Sequence, residues 1–250
     1  RGGPLTLNLE SKSFEINLYT DNRVWWVGNA GCYASFSDAG ISQSLYTNFE
    51  FKALTTLTLS VGPQFSRDIS KAQWVGKFSD ITASETYNNR YVFAYLDQTT
   101  FAADIRADWI INPKLSFQIY LQPFIASARY SDFKYLAKSK SYDFVKYGEN
   151  GSTIEETISE DGNISFTLDP DGNGPSESRT INNLDFNYIS LRGNAVLRWE
   201  YLPGSTLYLV WTQSREDIDS NGDFLFGRSM NKLFGIRPDN IFMLKLSYWL

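Results

Sequence analysis

Long segments that alternate apolar and polar residues constrain this chain more than any other feature. Residues 115–122 read Leu-Ser-Phe-Gln-Ile-Tyr-Leu-Gln, so Leu115, Phe117, Ile119 and Leu121 oppose Ser116, Gln118 and Gln122. A period of two puts successive side chains on opposite faces of a strand; a helix scatters such a set around its axis. Residues 101–111 repeat the pattern with charges: Phe101, Ala103, Ile105, Ala107, Trp109 and Ile111 oppose Asp104, Arg106 and Asp108. In 191–201, Leu191, Ala195, Leu197, Trp199 and Tyr201 oppose Arg192, Asn194, Arg198 and Glu200. At the end, Phe242, Leu244, Leu246, Tyr248 and Leu250 oppose Lys245 and Ser247.

Nine such segments are expected, at 6–20, 23–37, 41–53, 57–67, 99–111, 114–130, 190–202, 205–217 and 240–250. Most reach about ten residues or more, the length a tilted strand needs to cross a bilayer. Strands of soluble proteins usually run about five or six. Thr20-Asp21-Asn22-Arg23, Leu54-Thr55-Thr56, Asn112-Pro113-Lys114 and Leu202-Pro203-Gly204-Ser205 carry tight-turn chemistry. Between them lie the longer links 68–98, 131–189 and 218–239, and the short link Ser37-Asp38-Ala39-Gly40. Short periplasmic turns alternating with long outer loops are the habit of outer-membrane barrels. With the last strand ending in the periplasm, every tight turn falls on the periplasmic side and the first strand begins outside. Single-chain bacterial barrels have an even number of strands, so an odd number of further strands is expected before Arg1 or from another chain. Residues 73–95 are expected to prolong two strands as an outer hairpin, and Asp169–Ser178 to be loop.

Composition narrows the function. The chain is acidic, with a formal net charge of −5, and has no basic block, which argues against nucleic acid as a partner. Mean hydropathy is only −0.31 although 16% of residues are aromatic, a pairing that suits a barrel wall apolar outside and polar inside and equally a secreted β-sandwich. Histidine is absent, so Ser-His and Cys-His catalysis and His-ligated metals are impossible within the chain. The single Cys32 cannot form an internal disulfide and reads as a small buried thiol.

Three sets of residues could carry chemistry. Asp169-Pro170-Asp171-Gly172-Asn173-Gly174 and Asp217-Ile218-Asp219-Ser220-Asn221-Gly222, followed by Asp223, both read D-x-D-x-N-G. Alternate Asp and Asn oxygens in a tight turn converge as calcium requires. The bidentate Glu of an EF-hand is missing, because Thr180 and Arg228 hold the twelfth positions. Solvated turns are the competing reading. Asp104, Asp108 and Glu200 could form an acid–base pair, but Arg106, Arg192 and Arg198 share their faces. With Lys245, mixed-sign ladders on a polar lumen account for them better. Trp25, Trp26, Trp109, Trp199, Trp211, Tyr248 and Trp249 read as an interfacial girdle rather than as sugar platforms.

Several motifs resemble one family: Arg1-Gly2-Gly3-Pro4-Leu5, residues 91–98, Gln122-Pro123-Phe124, Asp169-Pro170-Asp171-Gly172, the run 191–201, residues 203–207 and 210–213, and Arg237-Pro238-Asp239-Asn240-Ile241-Phe242. They are similar to the C-terminal barrel region of a domain-of-unknown-function family common in Bacteroidota. Members are longer and typically carry an N-terminal domain like a family-nine carbohydrate-binding module. The resemblance implies that residues 1–250 are the last third of such a protein, and supplies no binding residue.

The resulting expectation is an all-β chain, the C-terminal part of one antiparallel transmembrane β-barrel in a bacterial outer membrane, with 131–189 as a long extracellular loop. It is expected to be non-enzymatic and porin-like, passing or capturing a solute or glycan at the cell surface. The competing expectation is a structural or plugged barrel acting as a subunit of an outer-membrane complex. Expected partners are outer-membrane lipid or lipopolysaccharide, glycan and other outer-membrane proteins. Calcium in the outer loops is the one ligand ion expected, and no other cofactor is.

Overall fold

In the computed structural model, residues 3–21 and 23–249 are described. Arg1 and Gly2 of the opening motif, Asn22 of the first turn and Leu250 of the last alternating segment lie outside the described residues. The alternating segments become strands β1 (Ser11–Tyr19), β2 (Trp26–Ser37), β3 (Gly40–Leu54), β4 (Leu57–Ser79), β5 (Asn89–Asn112) and β6 (Leu115–Leu136). The long link after β6 holds β7 (Phe144–Lys146), β8 (Thr153–Ile158), β9 (Ile164–Asp169) and β10 (Arg179–Asn182). The wall resumes with β11 (Phe186–Leu202), β12 (Ser205–Asp219), helix α1 (Phe226–Gly235) and β13 (Asp239–Ser247).

The nine expected segments form one antiparallel sheet in the order β1-β2-β3-β4-β5-β6-β11-β12-β13, with β7 beside β6. Among the described residues β1 and β13 each pair on one edge only, so the sheet is an open wall and not a closed barrel.

Register carries one face across the whole wall. Trp109 lies opposite Leu57 and Phe117, Phe117 opposite Leu197, Leu197 opposite Leu209, and Leu209 opposite Leu244. Three residues back, on the other face, Arg106 lies opposite Ser60 and Tyr120, and Asn194 opposite Tyr120 and Thr212. The first face is apolar from edge to edge, and it is bare: Phe14, Leu18, Leu45, Trp109, Trp199, Leu209, Phe242 and Leu244 are all exposed, Leu244 by 67%. Eight large apolar side chains left in water forgo on the order of 10–20 kcal/mol of burial, as much as the whole stability of a typical domain. Cys32 lies on this face, opposite Ile16 and Leu45, and is half-buried rather than buried.

Beyond the apolar band the wall continues. β4 and β5 stay paired as far as Ser79 and Asn89, which is the hairpin anticipated at 73–95. At its tip a single 3-10 turn (Ser84–Thr86) is followed by Tyr87 and Asn88 in the left-handed region. The link 131–189, expected as loop, is ordered for much of its length. β6 runs on to Leu136, and β8, β9 and β10 form a separate three-stranded sheet. Ile164-Ser-Phe-Thr-Leu-Asp does alternate, but six residues give too short a pattern to separate from turn composition. This small sheet packs through Leu168 against Val92, Ala94, Phe133 and Tyr147. Val92 and Ala94 are even positions of β5, on the side of Asp104 and Arg106.

The link 218–239, also expected as loop, contains α1. Phe226, Ser229, Met230 and Leu233 form its i, i+3, i+4, i+7 stripe. Leu233 is fully buried against Ile125, Ile189 and Leu191, and the Phe226 ring meets Phe101 edge-on at 5.0 Å. These are odd positions, so α1 lies on the apolar side of the wall. The two faces of the outer end therefore carry different covers.

The tip is held by a buried ion pair, Arg90 to Asp80 at 2.6 Å, with side chains 11% and 3% exposed. Asp80 also accepts from the Thr82 N–H and hydroxyl at 2.9 and 2.7 Å, and from the Ser176 hydroxyl at 3.2 Å, which ties the hairpin to the β9–β10 link. Burial pushes the Asp80 carboxyl up, but hydrogen bonds from Thr82 and Arg90 outweigh it and hold it below its ordinary value. Arg90→Ala leaves a buried carboxylate without a counter-ion, expected to cost about 3–5 kcal/mol; hydrogen exchange across 77–92 should accelerate while the central strands stay protected. Because the folded value lies below the unfolded one of about 3.9, the carboxylate stabilises the tip above that pH. That contribution is lost as pH falls through the depressed folded value, and tryptophan fluorescence of wild type, but not of Asp80→Asn, should report the acid loosening.

Candidate functional site

The polar face of β5, β11 and β13 carries the charged residues singled out above. Each sits there because it falls on the non-apolar parity of an alternating strand. Asp104 lies opposite Gly62, Arg106 opposite Tyr120 and Asp108 opposite Gln118. Arg192 lies opposite Gln122 and Ser214, and Arg198 opposite Ser116 and Tyr208. Glu200 faces Thr206, and Lys245 faces Tyr208. All seven share the face, as the sequence reading requires.

Their pairing differs from the expected mixed-sign ladders. Asp104 accepts a short hydrogen bond from the Tyr120 hydroxyl and a second from Gln122 at 3.3 Å. Arg106 stacks over the Tyr120 ring, 4.8 Å from its centroid. Arg198 contacts Glu200 of its own strand at 3.5 Å, and Lys245 lies 5.9 Å from the Tyr208 ring. Among the described residues no ion pair joins Asp104 or Asp108 to Arg192 or Arg198. The reason is spacing: β6 stands between β5 and β11, and two strand intervals of about 4.8 Å separate charges that share a row. Tyr and Gln fill the gap, and sequence alternation alone could not assign them.

Of the seven, Asp104, Arg106 and Asp108 line two adjoining concavities that share Arg106 and Asp108. The larger, about 550 Å³, is bordered by Tyr46, Asn48, Glu50, Gln64 and Asp104; the smaller, about 280 Å³, by Gln118, Tyr120 and Asn194. Amide, hydroxyl, carboxylate and guanidinium groups around the two tyrosine rings can bind a polyhydroxylated solute through hydrogen bonds in both directions. Asp104 and Asp108 have no nucleophile motif or histidine beside them.

The aromatic residues sort by height. Trp25, Trp26, Trp109, Trp199, Tyr248 and Trp249 all lie at the tight-turn end of their strands, and Trp211 lies midway along β12. Trp211 donates from Nε1 to Asn240 at 2.8 Å and stacks on Phe242.

The two calcium-like loops use their oxygens differently. Asp217 and Asp219 both receive Lys232 at 2.6 Å, Asp223 pairs with Arg129, and Asn221 accepts from the Asp223 N–H at 3.0 Å. Burial raises the Asp219 carboxyl, but Lys232 and the Asn221 N–H outweigh it and hold it low; both carboxylates in turn push Lys232 up. In the other loop Asp169 accepts the Asp171 and Gly172 N–H groups at 3.1 and 2.8 Å. Asp171 Oδ2 accepts from the Ser176 N–H at 3.1 Å, Oδ1 is buried without a hydrogen-bond partner, and Asn173 is exposed. The Asp171 carboxylate packs so closely on Gly174 that a Cβ there would meet it at 2.1 Å. Among the described residues no three acidic, His or Cys side chains converge on a metal-sized space.

Residues 155–250 match the family model of a domain of unknown function (DUF5916). The match spans β8 to the last strand and includes α1. No curated protein and no solved structure matches the chain.

Lys232 is the clasp that fastens α1 to β12. Lys232→Ala leaves Asp217 and Asp219 facing each other unneutralised, so protease cleavage within 220–238 should rise several-fold while the strands remain resistant.

Proposed function

We propose that this chain forms part of the wall of a transmembrane β-barrel in a bacterial outer membrane. In this reading it is not an enzyme; it passes or captures a polar solute at the cell surface. The observation that carries the reading is the continuous apolar face, exposed from β1 to β13 and backed by an equally continuous polar one. An apolar surface of that extent needs an apolar solvent, and strands that alternate apolar-out and polar-in are how a barrel provides one. The tight turns with their Trp and Tyr residues then mark the periplasmic interface, and the long links the outer surface. Glycan is the favoured solute, from the hydroxyl- and amide-rich concavities and from the likeness to proteins that carry a carbohydrate-binding domain. Calcium is proposed only for the Asp169 loop, whose carboxylates form no ion pair among the described residues.

One observation favours the second reading, a plugged or structural barrel that serves as a partner subunit. The three-stranded sheet packs on the polar side of the β4–β6 extensions, where it would stand over the mouth of a lumen. Flux separates the two. The natural full-length chain, reconstituted in phospholipid vesicles, should float with them and admit small sugars at a rate that rises when 150–182 is deleted. Flotation without flux in both forms would favour the structural role, and failure to float would end the membrane reading.

A further inference from the structure

The apolar face carries a trough of about 420 Å³ between β6 and β12. Its floor is β11, where Gly193 and Ala195 stand between bulkier rows: Ile119 and Leu121 on one side, Trp211 and Phe242 on the other. The small residues are what open it. A Cβ on Gly193 would already come within 2.9 Å of the Leu121 side chain. Gln213 closes the end farther from the tight turns, and Arg215 stands two residues beyond it on the same face, opposite Leu191. Arg215 donates from Nε to the Gln213 side chain at 3.2 Å and from Nη1 to the Phe234 carbonyl of α1 at 3.0 Å. It forms no ion pair with a carboxylate among the described residues. A guanidinium fixed by two neutral acceptors beside an apolar surface keeps N–H donors and a full charge to spend on an anion.

We propose that this surface binds one phosphate-bearing lipid of the surrounding leaflet, with an acyl chain in the trough and its phosphate on Arg215. The proposal rests on the membrane reading above and adds a specific site to it. Helix α1 sets the height. Lys232 reaches Asp217 and Asp219, farther from the tight turns than Arg215, while the Phe234 carbonyl meets Arg215 itself. Phe234, 61% exposed, therefore lies at the border between the bare band and the polar end, the level at which aromatic rings and headgroups meet. An arginine held at that level is stabilised by anionic headgroups, whereas deeper in hydrocarbon it would be costly.

The test uses the natural full-length chain in vesicles of phosphatidylcholine with a minor share of phosphatidylglycerol, followed by detergent extraction, washing and quantification of retained lipid by mass. Wild type should retain one phosphatidylglycerol per chain, enriched over phosphatidylcholine. Arg215→Gln should lose the enrichment, and Ala195→Leu, which fills the trough, should lose the retained molecule. Both variants should still float with vesicles, which guards against misfolding; Arg215→Lys, keeping the charge, should retain part of the enrichment. Flotation of wild type with no enrichment, or equal enrichment in Arg215→Gln, overturns the site and leaves the membrane reading standing. Failure of wild type to float overturns both.

Discussion

The uninterrupted alternation of β5 is the constraint on which the rest of the structure depends. From Arg90 to Asp108 the extra residues that shift register fall on its neighbours, on β4 between Ser70 and Gly76 and on β6 between Ser131 and Lys134. One extra residue on β5 itself would turn every later side chain to the opposite face. Because none occurs, Val92 and Ala94 at the outer end share a side with Asp104 and Arg106 in the middle, while Phe101 and Ile105 share the other. A single strand thus supplies the core under the small sheet, the polar lining and the apolar band.

The bulges on β4 and β6 let the extensions bend and twist away from the plain wall, and it is there that the chain acquires true interior. Ile125, Leu168, Ile189 and Leu233 are essentially inaccessible, and they belong to the outer half of the sheet or its covers. Toward the tight turns, among the described residues, no second layer covers either face. On the membrane reading proposed above, the chain divides two tasks along its strands: it packs a core where water would be the solvent and leaves bare alternation where lipid would be.

The covers illustrate how far sequence reading reaches. Alternation over ten or more residues is redundant: mis-assigning one position leaves the pattern intact, and all nine wall strands were legible for that reason. β8 to β10 run from four to six residues among Glu, Ser, Asp and Asn, so their signal did not rise above that of a turn-rich loop. α1 is ten residues long with Gly227 inside it and has little intrinsic preference for helix. It is helical because Leu233 finds a slot among Ile125, Ile189 and Leu191. The acidic turns are a related case. Spacing shows which oxygens can converge, but Lys232 and Arg129, which take up those of the second loop, come from elsewhere in the chain.

The sequence by itself determined the class of fold, the strand boundaries at the tight turns to within a few residues, the identity of the two faces and the side to which each charge belongs. All of these follow from local periodicity, because the side-chain period of a strand is a property of its own backbone. Only the tertiary structure decided that Tyr120, rather than an arginine, meets Asp104, that the two outer links cover opposite sides of the wall, and that Arg215 stands at the head of an apolar trough. Those outcomes depend on register between strands distant in sequence and on the volume left between their side chains, and neither quantity is written in any local pattern.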